Sequence, residues 1–406
     1  VEFLTSITPL EAFRIIAAFP LTEREQTIVD LDDAVGRVAA ADIIAAEDVP
    51  PFSRSLVDGY AVKAKDTYGA RETSPAFAGI SGEVRVGEIT EASVGDGESV
   101  YVATGAMIPD GADGVVMQEY ARAAHDSIEI TRAVRTGENI CFRGEDIERG
   151  RTIVEQGTRL SAFSIGVLAA LGAVRINVFR PPRVAVISSG NELVPAHMLP
   201  PPGKVRDVNT HVIAGLLRRR GCDVATFGIA HDTPDAIIEK LTAAGDTDLI
   251  LLSGGSSKGQ SDFVVTALEQ LGGKVFFHGL NIKPGKPTIF AALGGIPLFG
   301  LPGHPVSCSM VLLRFVLPLV ARLEGEKETP PRTTKAVLAV NIPSSYGVEE
   351  YVRVRLDVAD GAVTAEPIFA KSSVISTLHA SDGYVIVPEG KEGLEAGEQV
   401  EVYPLG

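Results

Sequence analysis

Residues 248–273 read DLILLSGGSSKGQSDFVVTALEQLGG, and their reading decides the fold. A short Leu/Ile run ends in a small, polar, glycine-rich loop, and an amphipathic segment opening near Ser261 and Asp262 runs to two glycines. That pattern is strand, turn, helix. It repeats upstream as RVAVISSG, THVIAGLLRRRG, CDVATFGIA and TPDAIIEKLTAAG, the last with Thr233 as N-cap, Pro234 at the first helical position, Asp235 in the first turn and Gly245 beyond the end. Near-continuous Val/Ile/Leu strands predict a parallel sheet covered on both faces, with ligands beyond the strand carboxyl ends.

Around this unit, 406 residues at roughly 150 per domain predict several domains. In TPLEAF, Thr8 is a candidate N-cap, Pro9 the first helical residue and Glu11 the capping-box acid, so a helix is expected from Pro9 to Phe19. From Ala45 to Asn139 the texture turns to short β-like pieces such as ESVYVATG and SIEITRAV between Gly, Asp and Pro turns. LSAFSIGVLAALGA restores a helical pattern from Ser161 to Gly172 and is expected to return to the layer of the first helix. After the linker EKETPPRT, strands EYVRVRLDV, DGYVIVP and EQVEVYPL, with an Asp360-Gly361 hairpin signal, predict a small β-barrel. The expected division is a discontinuous helical segment (1–44 and 140–180), an inserted β-rich domain (45–139), an α/β domain (181–327) and a C-terminal barrel (328–406).

A net charge of −15 argues against a general nucleic-acid binder, which needs excess Lys and Arg on one face. No apolar run is read as long enough for a membrane span, and the amino terminus lacks a basic, apolar leader pattern, so a cytoplasmic protein without a membrane partner is expected. Cys141, Cys222 and Cys308 are too scattered for a disulfide framework or a CxxC metal site and are expected to be reduced and mostly buried.

Four loops follow the strands of the α/β unit: SSGNEL, HDTPD, LSGGSSKGQSD and GLPGHPVS. Glycine lets backbone approach an anion, and helix N-terminal amides favour phosphate, so Ser253 to Ser257 reads as a phosphate cradle, with a plain turn as the alternative. Glu192, Asp232 and Asp262 fall in these loops; carboxylates beside phosphates suit Mg²⁺, whereas the structural alternative for Asp262 is a helix N-terminal acid. Between Glu269 and Glu324 there is no acid, yet Lys274, Lys283, Lys286, Arg314 and Arg322 all lie there. In IKPGKP, prolines restrict the backbone around Lys283 and Lys286, so both ammonium groups can serve one oxyanion at reduced ordering cost; the alternative is two solvated lysines.

The motifs PPFSRSLVDGYAV, VATGAMIPDGADGVVMQE, RGEDI, SSGNELV, LSGGSSKGQSD, KPGKP and GLPGHPVS stand in the order found in molybdopterin molybdenumtransferases, the MoeA and gephyrin E-domain family, which residues 8–320 resemble. The resemblance implies a multidomain α/β plus β fold and a homodimer whose site lies between the α/β domain of one subunit and the inserted domain of the other. Asp58 and Thr104 would then act across from the cradle. It implies a Mg²⁺-dependent reaction in which adenylylated molybdopterin and molybdate give molybdenum cofactor and AMP. Catalytic roles carry over to Asp262, Glu192, Asp232, Asp58 and Thr104, the first three also as Mg²⁺ ligands. Molybdopterin or AMP contacts carry over to Ser189, Gly190, Asp207, Asn209, Ser253, Gly254, Gly255, Ser256, Pro302, Gly303 and Pro305. Molybdate contacts carry over to Lys283, Lys286, Pro287, Ser307, Arg353 and Ser373. The chain departs from the family pattern at Ser53, Arg54, Leu56 and Val57, at GGSSKG with its added Lys258, and at His304, where asparagine is common.

Three alternatives stand beside this expectation. Tungstate insertion would use the same chemistry, the related adenylyltransferase shares the α/β domain and would meet this enzyme in a transient contact, and a gephyrin-like scaffold would bind partners without catalysis.

Overall fold

The structure is a computed structural model that describes residues 6–254, 261–359 and 361–405. Its centre is a six-stranded sheet in the order Asp223–Ala230, Arg183–Ser189, Leu249–Ser253, Ile296–Leu301, Ile289–Leu293, Lys274–His278. The first four strands are parallel, as expected. Ile289–Leu293 pairs antiparallel with both Ile296–Leu301 and Lys274–His278, so the sheet is mixed rather than wholly parallel. The reason is local: Gly294 and Gly295, both at positive φ, join Ile289–Leu293 to Ile296–Leu301 as a hairpin.

Strand alternation builds two cores. Val184, Val186, Leu249 and Leu251 face one side with Ile213 and Leu217 of helix Asn209–Arg220. Ala185, Ile187, Ile250 and Leu252 face the other with Ile237 and Leu241 of helix Pro234–Ala243 and Val264 and Leu268 of helix Ser261–Gln270. The Thr233 hydroxyl caps its helix by accepting from the Ala236 amide.

The first helix spans Pro9–Ala18 behind the expected capping box: Thr8 Oγ1 accepts from Glu11 N, and Glu11 Oε2 accepts from Thr8 N at 2.9 Å. Its Ala12 and Ile16 join the α/β core, and Phe13 stacks on Phe315 at 4.8 Å. Helix Ala162–Ala170 instead packs through Leu168 on Ala34, Ile176 and Val178. The shared layer expected for these two helices is therefore not formed, because the amphipathic first helix finds its apolar partner on the sheet unit. Residues 26–30 and 175–179 pair antiparallel and bring together the chain on either side of a separate six-stranded sheet, built from strands between Gly59 and Ile130.

Glu324, 5% exposed, is held by Arg159 (2.6 Å) and Arg220 (2.8 Å), and Glu326 joins the same cluster. Arg159 also donates to Gly36 O, so these ion pairs tie the segment around Gly36 to the sheet unit.

One helical run, Pro305–Leu323, is long and apolar enough by composition to cross a membrane, contrary to the expectation of none. Arg314, Pro318 and Arg322 interrupt it in sequence, but most of it is buried in the core beside the sheet. All three cysteines are free; Cys222 and Cys308 are buried and Cys141 is partly so.

The C-terminal strands Glu349–Ala359, Ala362–Pro367, Thr334–Leu338, Gln399–Pro404 and Gly383–Val387 pair in that order and close through Glu349–Ala359 against Gly383–Val387. Ala359 pairs with Ala362 at the end of the antiparallel ladder, and Asp360 of the expected hairpin signal lies outside the described residues. An added strand, Ile282–Lys283, comes from KPGKP and pairs in parallel with Glu349 and Glu350.

Candidate functional site

Three parallel strands deliver Ser189, Ser253 and the Pro302-Gly303 turn to one edge. Ser188 Oγ joins Thr210 Oγ1 (2.8 Å) and Ser253 Oγ (3.1 Å), so neighbouring strand ends are cross-linked by hydroxyls. Gly254 has φ +89°, and a Cβ there would lie 2.0 Å from Ser189 O. Only glycine allows these two turns so close together. Asn209 Nδ2 donates to Gly303 O at 2.9 Å, while its Oδ1 is buried without a partner among the described residues.

These ends surround a cavity of about 900 Å³. Among the expected site residues, Ser189, Glu192, Asp207, Asn209, Ser253, Gly254, Pro287, Pro302, Gly303, Pro305, Ser307 and Ser373 line it. Gly190 sits behind Glu192, whose carboxylate is 2.8 Å from where a Cβ on Gly190 would lie. Gly255 and Ser256, with Ser257 and Lys258, fall outside the described residues, as does the side chain of Asp262.

Asp232 does not line the cavity but braces it: Ser189 Oγ donates to its Oδ1 at 2.8 Å and Asn191 N to its Oδ2 at 3.0 Å. Asp207 accepts from Thr210 N at the start of the next helix. Among the described residues, no group of three or more His, Cys, Asp or Glu side chains is arranged to hold a metal.

A second cavity, of about 320 Å³, lies between the KPGKP loop and the barrel, lined by Lys283, Pro284, Glu350, Arg353 and residues 368–372 among others. Arg353 is 6% exposed. One terminal nitrogen donates to Ala370 O at 3.0 Å and reaches Ile368 O at 3.5 Å, whereas Nε and the other terminal nitrogen have no partner among the described residues. Burial pushes its pKa down, which means the guanidinium lacks an anion to compensate its desolvation.

The cations of the acid-free stretch separate in space. Lys274 covers the Phe276 ring, Arg314 covers Phe13, and Arg322 donates to Ile16 O and Phe19 O, so these three serve packing. Lys283 lies 2.8 Å from Glu350, and Lys286 is exposed with no ion pair among the described residues. The loop spans both cavities, with Lys283 and Pro284 on the second and Pro287 on the first.

Asp58 and Thr104 come together as a pair on the inserted sheet: the Thr104 amide and hydroxyl both donate to Asp58 Oδ1, at 2.7 and 3.0 Å. They line neither cavity in this chain. Sequence reasoning missed Lys204 and Arg206, which line the first cavity on a short flap pairing Val205–Arg206 with Leu193–Val194. Lys204 donates to Asn191 O and Arg206 to Met198 O, and the only available signal was two cations after the prolines of MLPPPGKVRD.

Three family models match in succession: the MoeA N-terminal region (domain I and II) over residues 7–172, a probable molybdopterin binding domain over 185–322, and the MoeA C-terminal region (domain IV) over 335–405. A putative molybdopterin biosynthesis protein of Methanocaldococcus jannaschii is 32% identical over all of both chains. The molybdopterin molybdenumtransferase of Haemophilus influenzae is 33% identical over 93% of both. A crystal structure of the molybdopterin biosynthesis MoeA protein from Pyrococcus horikoshii aligns with TM-score 0.85 and 31% identity, covering 98% of this chain and 100% of that one.

Proposed function

This chain belongs to the MoeA family of molybdopterin molybdenumtransferases, and from that premise we propose how its two cavities divide the reaction. The reaction is insertion of molybdenum into molybdopterin. In our reading, the first cavity takes adenylylated molybdopterin and the second takes molybdate. Transfer gives molybdenum cofactor and AMP.

The observation that carries this reading is Arg353, a buried guanidinium with two nitrogens that lack a hydrogen-bond partner among the described residues, on a small cavity beside Lys283. A tetrahedral dianion would supply the missing acceptors and offset the desolvation. Lys283, Lys286, Ser307 and Ser373 are proposed to complete its binding as it approaches the pterin. The orphaned acceptor Asn209 Oδ1 suits a ring N–H donor of a pterin. Ser189, Ser253 and Gly254 to Ser256 would hold the phosphate or adenylyl group.

We propose that Glu192 and Asp262 would hold Mg²⁺, which would supply neutralisation of charge on the anhydride. The hard oxygen donors fit that ion. Asp232, already engaged by Ser189 and Asn191, would position this loop. Asp58 and Thr104 are proposed to act on the cavity of a partner subunit in a homodimer, and the protein to work in the cytoplasm. Incubation with adenylylated molybdopterin, Mg²⁺ and molybdate or tungstate tests the whole: AMP release with cofactor formation is expected. Consumption of ATP with molybdopterin would instead mark an adenylyltransferase, and no turnover a scaffold.

A further inference from the structure

The two cavities share a wall. Lys371 and Ser372 line the second cavity, whereas Ser373 and Ile375 line the first. This wall is gripped from both domains. From the barrel, Arg353 donates to Ala370 O at 3.0 Å. From the α/β unit, Val306 N donates to Ser372 O at 3.1 Å, and His304 Nδ1 shares a hydrogen bond with Ser372 Oγ at 2.9 Å. His304 itself lines the first cavity and immediately precedes helix Pro305–Val311, which carries Ser307.

We infer that His304 is a positioning residue for oxyanion binding, acting through Ser372 to fix the wall that Arg353 holds from its other side. The inference rests on the proposed assignment of molybdate to the second cavity. The chemistry is simple. Arg353 uses one terminal nitrogen on this wall, toward Ile368 O and Ala370 O, and keeps Nε and the other terminal nitrogen for a ligand, so a wall free to shift at Ser372 would misalign those donors. His304 is exposed and Ser372 only half-buried, so neither side chain supports a core. An asparagine at position 304 would put a carboxamide atom where Nδ1 now lies and keep the bond; alanine cannot.

Sodium molybdate is titrated calorimetrically into wild type, His304→Ala, His304→Asn, Ser372→Ala, the double alanine variant and Arg353→Lys, with AMP as the probe of the first cavity. Loss of one hydrogen bond predicts about three- to tenfold weaker molybdate binding in each single alanine variant. The double variant should lose no more than the singles, since both remove one bond. His304→Asn should match wild type for molybdate, and AMP affinity should hold in Ser372→Ala, whose residue lines the second cavity. Unchanged molybdate affinity in both alanine variants, additive losses, or failure of asparagine to rescue overturns the inference. If Arg353→Lys weakens molybdate but the His304 and Ser372 variants do not, the assignment of the second cavity stands and this inference alone fails. If wild type binds no molybdate, both fall.

Discussion

Lys283 Nζ lies 2.8 Å from the Glu350 carboxylate, and their strands pair at this same register, Lys283 against Glu350. The lysine nominated for an oxyanion thus already has an anionic partner, and binding of molybdate must compete with it.

Glu350→Gln should therefore raise molybdate affinity, because the freed ammonium no longer pays to leave an ion pair. Lys283→Ala and Lys286→Ala should each lower it about ten- to a hundredfold if each removes a charge-assisted hydrogen bond worth roughly 1.5–3 kcal/mol. Titration of molybdate into the three variants checks the ordering. Equal affinity in Glu350→Gln and both alanine variants would return these lysines to solvent.

Gly254→Ala should destabilise the α/β unit by about 1–3 kcal/mol from the left-handed backbone alone, with more from the 2.0 Å approach to Ser189 O. Denaturant unfolding followed through that unit measures it. A midpoint equal to wild type would show that the turn can move away, and with it the cradle.

Arg159→Ala should destabilise the fold, by less than the roughly 3–5 kcal/mol of a fully orphaned buried charge, because Arg220 stays paired with buried Glu324. Burial already raises the Glu324 pKa, opposed by Arg220 and Arg159, and losing Arg159 should raise it further. A carboxyl whose folded pKa exceeds its unfolded value destabilises the fold above the folded pKa, and that penalty fades as pH falls from the folded pKa to the unfolded one and is gone below it. The stability gap between variant and wild type should therefore narrow from pH 7 toward pH 4. A gap independent of pH would place the loss in packing instead.

Much of this architecture was legible because its causes are local. The Thr8–Glu11 capping box, the Thr233-Pro234 helix start and the alternating strands that feed two cores depend on neighbours within a few residues. The reversed strand 289–293, antiparallel to both of its neighbours, was not legible, since a Val/Ile/Phe run does not declare its direction. Nor was the Lys283–Glu350 pair, whose partners meet only when the KPGKP loop adds a strand to the barrel. The site showed the same division. Ser189, Ser253 and Gly303 follow from strand ends meeting at one edge, whereas Lys204, Arg206 and the His304–Ser372 bond depend on how separate segments fold over it.

The proposed placement of Asp58 and Thr104 on a partner's cavity predicts complementation. Asp58→Ala and Asp262→Asn should each be slow alone, yet a refolded mixture should recover activity. With random pairing, half the dimers are mixed and each keeps one intact site, about a quarter of the wild-type sites. No recovery in a mixture shown by light scattering to be dimeric would put both residues on one chain's site.

The central claim is that pterin and oxyanion occupy different cavities, and Arg353→Lys tests it most directly, because lysine keeps the charge but loses the planar fork. Molybdate and AMP are each titrated into this variant and into wild type. The account predicts at least about tenfold weaker molybdate binding with AMP affinity unchanged. Unchanged molybdate affinity, or an equal loss for both ligands, would contradict it.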